Sequence, residues 1–232
     1  MQVCFDTNIW FDILTGNKNS QSENAINKVF LRNFVITMRG IADTLASINH
    51  NMNSLSYSSV RALNSNPGVT VKAKPIKIFI PKIVYLELME NLIETKTMDY
   101  LIKKGGYNSA RLRGNAGKKL IANTTLPKNM YKKEIIYPLK LIQFDKDNVL
   151  LQKSTYKLDF NMVEDLVKNK VGVKDAIVAV EANDLGSDYL VTRDETFREK
   201  INSLKTDLKW IKIEAINPNG IIGILERQGN KF

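Results

Sequence analysis

Short apolar runs alternate along this chain with segments of helical periodicity. The runs that predict β-strands are residues 2–5, 77–80, 140–144, 188–192 and 209–215, and the segments that predict helices are residues 81–94, 147–157, 161–168 and the stretch that begins near Asp175. Strands that alternate with helices usually form a parallel sheet, because each crossover lays a helix on one face of that sheet. The pattern therefore predicts an α/β fold with a central, mainly parallel sheet.

Two stretches break this alternation and are predicted as insertions into one domain that spans residues 1–232. The first, residues 22–66, carries apolar side chains three or four positions apart, at Ile26, Phe30, Phe34, Met38, Ile41, Leu45, Ile48, Met52 and Leu55. This spacing predicts a long helix or a helical hairpin, whose last part approaches a heptad rhythm. Such a helix either covers the host domain or packs against a second copy of the chain in a homodimer.

The second insertion, residues 96–133, holds most of the excess positive charge. It has ten basic residues and one acid, which gives +9 of the formal net charge of +10. Its four glycines predict a segment that is mobile until it binds a partner. We expect a polyanionic partner, RNA or DNA, that is contacted by Lys103, Lys104, Arg111, Arg113, Lys118 and Lys119. The alternative is a solvated loop that only aids solubility.

Four acidic residues stand where a carboxylate is either a helix cap or a metal ligand. Asp6 and Asp194 each follow a predicted strand, Glu87 lies in the helix after the second strand, and Asp175 begins a helix of small residues. Open α/β sheets bind their ligands at the carboxyl ends of the strands. Four carboxylates at one edge repel one another unless a cation neutralises them, and oxygen ligands suit Mg²⁺ or Mn²⁺. The set predicts a divalent-metal site.

Each of these acids also has a simpler explanation when it is taken alone. Asp6, Asp175 and Asp194 can each cap a helix, and Glu87 can face solvent. If each acid had its own separate role, three helix caps and one surface glutamate would have to resemble a metal site by accident. We therefore favour a shared site. No other catalytic group competes, since the single histidine, His50, lies in an Asn-rich stretch. The one cysteine, Cys4, lies in an apolar run and predicts a buried, inert thiol.

The residues that carry these acids resemble a known family. FDTN near the start, LEL in the helix after the second strand, KDAIVAVEAN and LVTRDETF resemble the PIN domain, the nuclease fold of VapC-type toxins and related ribonucleases. The resemblance covers residues 1–16, 77–91 and 139–216 but neither insertion. It implies a three-layer α/β/α fold of about five strands in which Asp6, Glu87, Asp175 and Asp194 hold the metal. Asn8 and Thr192 match supporting positions, and Glu90 can share or take the role of Glu87.

The single cysteine excludes a disulfide framework and predicts a reducing, cytoplasmic setting. The resemblance implies a metal-dependent endoribonuclease that leaves a 5′-phosphate and a 3′-hydroxyl. It also raises the prospect of a toxin whose antitoxin-like partner masks the acidic pocket. Two alternatives stay open at this point: a non-catalytic nucleic-acid-binding or scaffold protein, and a nuclease directed at DNA or at a particular structure. The sequence has no charged leader and no long apolar stretch, so we expect no contact with a membrane.

Overall fold

The computed structural model describes residues 1–15, 21–22, 25, 28–29, 76–137, 139, 149–151 and 157–227. The strands in these ranges are β1 (Gln2–Phe5), β2 (Lys77–Ile80), β3 (Val149–Leu151), β4 (Tyr189–Val191) and β5 (Glu214–Ile216). The helices are α1 (Thr7–Thr15), α2 (Lys82–Gly105), α3 (Ser109–Arg113), α4 (Asn115–Asn123), α5 (Lys128–Tyr131), α6 (Phe160–Lys168), α7 (Val173–Asp184), α8 (Glu195–Leu204) and α9 (Pro218–Arg227). A π-helical turn, Lys132–Ile136, continues directly from α5.

The described strands form one parallel sheet in the order β3-β2-β1-β4-β5. The chain therefore moves outward from β1 to β2 and β3, returns to β4 on the other side of β1, and continues to β5. This reversal of direction opens a crevice at the carboxyl ends of β1 and β4, where open α/β sheets bind ligands. The predicted α/β class and parallel sheet are confirmed.

The central strands are apolar along their whole buried length. Val3, Cys4 and Phe5 of β1 are fully buried, and Ile78 and Ile80 of β2 are as well. Strands that are covered on both faces need continuous rather than alternating apolar residues. The free thiol of Cys4 is part of this core, and burial raises the pKa of the Cys4 thiol well above its usual value, with Asp6 and Glu181 adding to the rise.

One stretch that was predicted as helical contains a strand. Residues 147–157 were predicted as a helix, but Val149–Leu151 form β3, which pairs with β2 at the sheet edge. A run of three apolar residues fits a short strand as well as a buried turn of helix, and only its pairing with β2 decides between them. The strand predicted at 140–144 lies outside the described residues. At the other edge of the sheet, the strand predicted at 209–215 is observed as the shorter strand Glu214–Ile216.

Helix α2 is much longer than the sequence suggested. It starts after Pro81, runs for 24 residues, and ends at Gly106, which adopts a left-handed backbone conformation with φ +64°. Glycine adopts this conformation without steric cost, so it commonly ends helices. The first ten residues of the basic segment 96–133 therefore belong to the same helix as Glu87. Helices α3, α4 and α5 make up most of the remainder, and its mobility stays a prediction.

A small second core holds the basic segment together. Leu101, Leu112 and Ile121 are buried against one another, apart from the main core around the sheet.

The insertion predicted at residues 22–66 is described only in small part. The nine apolar positions of its predicted helical stripe lie outside the described residues. Ala25 and Val29, which are described and helical, are fully buried in the main core. Among the helices described, none combines the length and apolar character needed to span a membrane.

Candidate active site

The crevice at the carboxyl ends of β1 and β4 is built around Asp6. Its backbone amide donates to the carbonyl of Val191, so the first residue after β1 is joined to the end of β4. The side chain is only 8% exposed. Its Oδ1 accepts the amide of Thr7 at 2.7 Å, and its Oδ2 accepts Asn8 Nδ2 at 2.6 Å and Thr192 Oγ1 at 2.7 Å. A buried carboxylate held by three donors has a fixed orientation.

Thr192 connects both sides of the crevice through one hydroxyl. Besides donating to Asp6, its Oγ1 accepts Asn8 Nδ2 at 3.0 Å and the amide of Asp194 at 3.1 Å. The amide group of Asn8 is oriented by the same network, because its Oδ1 accepts the amide of Arg193 at 3.3 Å. The two positions predicted to support the site, Asn8 and Thr192, therefore both contact Asp6.

Glu87 faces the crevice, whereas Glu90 does not. The hydroxyl of Thr7 donates to Glu87 Oε2 at 2.6 Å, which ties the start of α1 to α2. The Glu87 side chain is 15% exposed, compared with 68% for Glu90. The interpretation of Glu87 as a surface-facing glutamate is therefore wrong. Glu90 lies one turn farther along α2 and, among the described residues, forms an ion pair with Lys174, an interaction described below.

Asp175 and Asp194 complete the acidic set from two further elements. Asp194 is the N-cap of α8, where its Oδ1 accepts the amide of Phe197 at 2.9 Å. The capping explanation is therefore correct for Asp194, although it leaves the second carboxylate oxygen for another role. Asp175 lies in the first turn of α7, whose N-cap is Gly172, so Asp175 is not itself the cap.

The four carboxylates influence one another electrostatically. Burial raises the pKa of Asp6 to about 6, although the hydrogen bonds from Thr192 and Thr7 oppose the rise; Asp175 and Glu87 raise the pKa further. Burial also raises the pKa of Asp175, with Asp194 and Glu87 adding to it and Lys200 opposing it. Like charges a short distance apart disfavour ionisation in this way. We call Asp6, Glu87, Asp175 and Asp194 the carboxylate cluster.

Two lysines act electrostatically on this cluster, and Lys174 also contacts it. Lys174 Nζ is 3.4 Å from Glu87 Oε1 and 3.6 Å from Glu90 Oε2. Glu87, then Glu90, raises the pKa of Lys174, so this side chain is a cation at neutral pH. The charge of Lys200 on α8 opposes the rise in the pKa of Asp175, while its ammonium donates to the Lys170 carbonyl. Neither lysine was singled out from the sequence, although Lys174 directly precedes Asp175.

The residue set suits a hard divalent cation, but its present spacing does not define one coordination point. All four candidate ligands are carboxylates, whose oxygens Mg²⁺ and Mn²⁺ prefer, and the described groups that act on the buried Asp6 include no cation. Across the residues that the structure describes, no three acidic, histidine or cysteine side chains converge closely enough to hold an ion.

Three further contacts that sequence reasoning missed hold the crevice together. Arg193 forms a two-point ion pair with the buried Asp12, with Nε at 3.1 Å from Oδ2 and Nη2 at 3.2 Å from Oδ1. Ser22 donates to the same carboxylate at 2.9 Å. Glu181, buried in α7, accepts the amide of Ile83 and so holds the first turn of α2. The only sequence signal for Glu181 was an acid among the small apolar residues VAVEA.

The predicted nucleic-acid-binding residues lie elsewhere on the molecule. Lys103, Lys104, Arg111, Arg113, Lys118 and Lys119 are all exposed, and none forms an ion pair with another described residue. Lys103 is 16 residues beyond Glu87 on α2, which places it about 24 Å farther along the helix axis. Lys103 and Lys104 therefore cannot contact the same phosphate as Glu87.

A search against models of known protein families and against curated proteins found no match. The functional argument therefore depends on the residues and their geometry.

Proposed function

We propose that this protein is a metal-dependent endoribonuclease with a PIN-like, three-layer α/β/α fold. The observation that carries the proposal is the carboxylate cluster: four acids from β1, α2, α7 and the end of β4, electrostatically coupled, in the crevice between β1 and β4. That position is the usual ligand site of an open α/β sheet. The exposed basic segment supports a polyanionic substrate.

The reaction would be hydrolysis of a phosphodiester bond. A water oxygen attacks phosphorus, the bond to the 3′ oxygen breaks, and the products are a 5′-phosphate and a 3′-hydroxyl. Mg²⁺ or Mn²⁺, when bound, would acidify the water and neutralise charge on the phosphate. Asp6, Glu87, Asp175 and Asp194 would hold the ion.

The remaining residues of the crevice would fix these ligands in place. Thr7, Asn8 and Thr192 donate to Asp6 or Glu87 and so keep their oxygens turned toward the crevice. Lys174 supplies a positive charge beside Glu87, where a phosphate would approach. A toxin role with an antitoxin-like partner follows from the resemblance alone and is tested by what is bound to the protein when it is purified from its native cell.

Cleavage of matched RNA and DNA strands in Mg²⁺, Mn²⁺ and EDTA tests the proposal. We expect cleavage of RNA with either metal and none in EDTA. Asp194→Asn should lower the rate by more than the 10- to 100-fold that loss of an outer contact to a metal site typically costs. Asn retains the acceptor that caps α8, so the fold should survive.

Asp159→Asn is the matched control, because Asp159 caps α6 in the same way. Its rate should equal that of the wild type. A strand that binds without cleavage in every metal would instead support the non-catalytic alternative. Preferential cleavage of DNA would redirect the proposal to a DNA nuclease.

A further inference from the structure

A cleft of about 530 Å³ lies on the flank of α2, apart from the carboxylate cluster. Its walls come from α2 and from the segment that joins α4 to α5, and its lining includes Ile93, Thr97, Thr124, Thr125, Lys128 and Tyr131. A volume of this size is within the range of pockets that hold small organic groups. None of the four residues of the carboxylate cluster lines this cleft.

The lining combines the groups that recognise a base in single-stranded nucleic acid. Tyr131 offers an aromatic ring on which a base can stack, and Lys128 at the exposed rim forms no ion pair with a described residue. The Thr124 hydroxyl donates to the Leu120 carbonyl at 2.7 Å, which leaves its oxygen able to accept from a base edge. Stacking on an aromatic side chain beside a cation is a common way to bind single strands.

The cleft lies between the carboxylate cluster and the basic residues at the far end of α2. Ile93 and Thr97 are six and ten residues beyond Glu87, which corresponds to about 9 and 15 Å along the helix axis. At 3.6 residues per turn, Thr97 lies about 80° around the axis from Glu87. A strand that passes from the carboxylate cluster toward Lys103 therefore runs beside the cleft.

We propose that this cleft binds one base of the single-stranded nucleic acid that is the substrate, at a fixed number of nucleotides from the scissile phosphate. The statement that the strand is a substrate rests on the proposed function, whereas binding of the base does not. The choice of nucleic acid follows from charge, because the surrounding segment 96–133 carries +9, from ten basic residues and one acid. A bound base would stack on Tyr131 with its phosphate beside Lys128.

The test is binding of short fluorescent single strands in EDTA, where no hydrolysis takes place. We expect Tyr131→Ala to weaken binding about 5- to 150-fold, the effect of losing one stacked base. Tyr131→Phe should bind as the wild type does, because it keeps the ring. Lys128→Gln should reduce the slope of log affinity against log salt by about one.

A series of strands, each of which lacks one base at a different position, locates the contact. The wild type should lose affinity when the missing base is at one particular position, and Tyr131→Ala should be insensitive at that position. Tyr137→Ala, which removes an exposed ring outside the cleft, is the matched control. Running RNA and DNA versions of each strand shows whether the sugar matters.

Equal binding by Tyr131→Ala and wild type, or no binding of any strand by the wild type, would overturn the proposal. Because Tyr131 also packs against the main core, thermal unfolding of each variant must accompany the measurement. Lys128→Gln is on the exposed rim and gives an answer even if Tyr131→Ala unfolds. Base binding without cleavage would count against the proposed function alone, and cleavage that is indifferent to Tyr131 and Lys128 would count against the cleft alone.

Discussion

Asp6 and Asp175 are both predicted metal ligands, but the protein around them differs. The carboxylate of Asp6 accepts three hydrogen bonds, from Thr7, Asn8 and Thr192. An asparagine there would turn an NH₂ group toward donors, and each buried group left unsatisfied costs about 1–3 kcal/mol. Asp175 is half-buried and is repelled by Asp194 and Glu87.

We therefore expect Asp6→Asn and Asp175→Asn to have different effects on stability. In EDTA, Asp6→Asn should lower the free energy of unfolding by about 1–3 kcal/mol. Asp175→Asn should leave it unchanged or raise it, because one repelling charge is removed. Urea unfolding followed by circular dichroism measures both. Both variants should lose cleavage, so equal stability of the pair would show that the hydrogen bonds to Asp6 contribute little.

The raised pKa of Asp6 predicts how the stability of the metal-free protein depends on pH. The pKa is about 6 in the folded chain, against a usual value of 3.8. The stabilising contribution of protonated Asp6 is therefore complete below about pH 4 and is lost as the pH rises through about 6. The shift corresponds to roughly 3 kcal/mol.

The measurement is the difference in unfolding free energy between wild type and Asp6→Asn from pH 4 to 8 in EDTA. Taking the difference removes the contribution of other titrating groups. The advantage of the wild type should shrink toward pH 8, and saturating Mn²⁺ should restore it, since a ligand that binds only the folded state stabilises it. A difference that stays constant with pH would mean that Asp6 titrates normally.

Lys174 occupies a position where it competes with a cation for Glu87. Its ammonium contacts Glu87 and Glu90, and its side chain is 64% exposed, so the ion pair itself contributes little to stability. Lys174→Met should therefore fold normally and bind Mn²⁺ more tightly, by up to about fivefold. Lys168→Met is the control, because Lys168 forms an exposed ion pair with Glu164 away from the site. Weaker Mn²⁺ binding by Lys174→Met, measured by calorimetry, would show that the lysine supports the ion instead.

At the scale of elements, helix α2 presents two glutamates one turn apart, and only Glu87 is directed into the crevice. The Thr7 hydroxyl is bonded to Glu87 at 2.6 Å, and Glu90 is 68% exposed. Glu87→Gln should therefore abolish most of the cleavage, and Glu90→Gln should change it by less than about threefold. Rates at saturating Mn²⁺ make the comparison, and Glu94→Gln, exposed on the next turn, serves as the control. If Glu90→Gln had the larger effect, Glu90 and not Glu87 would be assigned as the metal ligand.

The elements that the sequence predicted best are those with strong local signals. Strands β1 and β2 have three buried apolar residues in succession, and their predicted limits are those observed. Strand β3 was missed because Val149–Leu151 has no local feature that separates a strand from a helix; its pairing with β2 is a long-range contact. The full length of α2 was missed because its second half is basic and its apolar positions face the small second core rather than the sheet.

The same difference between local sequence signals and long-range contacts applies to the candidate site. Asp6, Glu87, Asp175 and Asp194 could be selected because each follows or begins an element, and parallel strands bring such positions to one edge. The contacts between Thr7 and Glu87 and between Lys174 and Glu87 join residues about 80 positions or more apart. No sequence pattern encodes those pairings. The cleft at Tyr131 likewise depends on how the segment after α4 folds back on α2.

At the scale of the whole molecule, the exposed basic residues are separated from the carboxylate cluster along helix α2, which carries Glu87 near its start and Lys103 and Lys104 in its last turn. Lys103 and Lys104 are at the end of α2 that is farthest from the sheet, while Arg111 and Arg113 are on α3 beside them. All four are exposed, and Lys103 lies about 24 Å from Glu87 along the axis of α2. These residues can hold a strand by its phosphates, but they cannot take part in the chemical step.

Replacing Lys103, Lys104, Arg111 and Arg113 together by Gln should therefore raise the apparent KM much more than it lowers kcat. Each lost phosphate contact should reduce the slope of log affinity against log salt by about one. The loss should be the same for substrates of different sequence, since phosphate contacts position a strand without specifying it. Lys205 and Lys212, which line a cleft with Tyr189 of β4 and Glu214 of β5, provide control substitutions of basic residues outside segment 96–133. If the quadruple variant keeps the salt slope of the wild type, the charge of segment 96–133 serves solubility or an acidic protein partner, because a phosphate-binding surface cannot lose four cations without releasing fewer counterions.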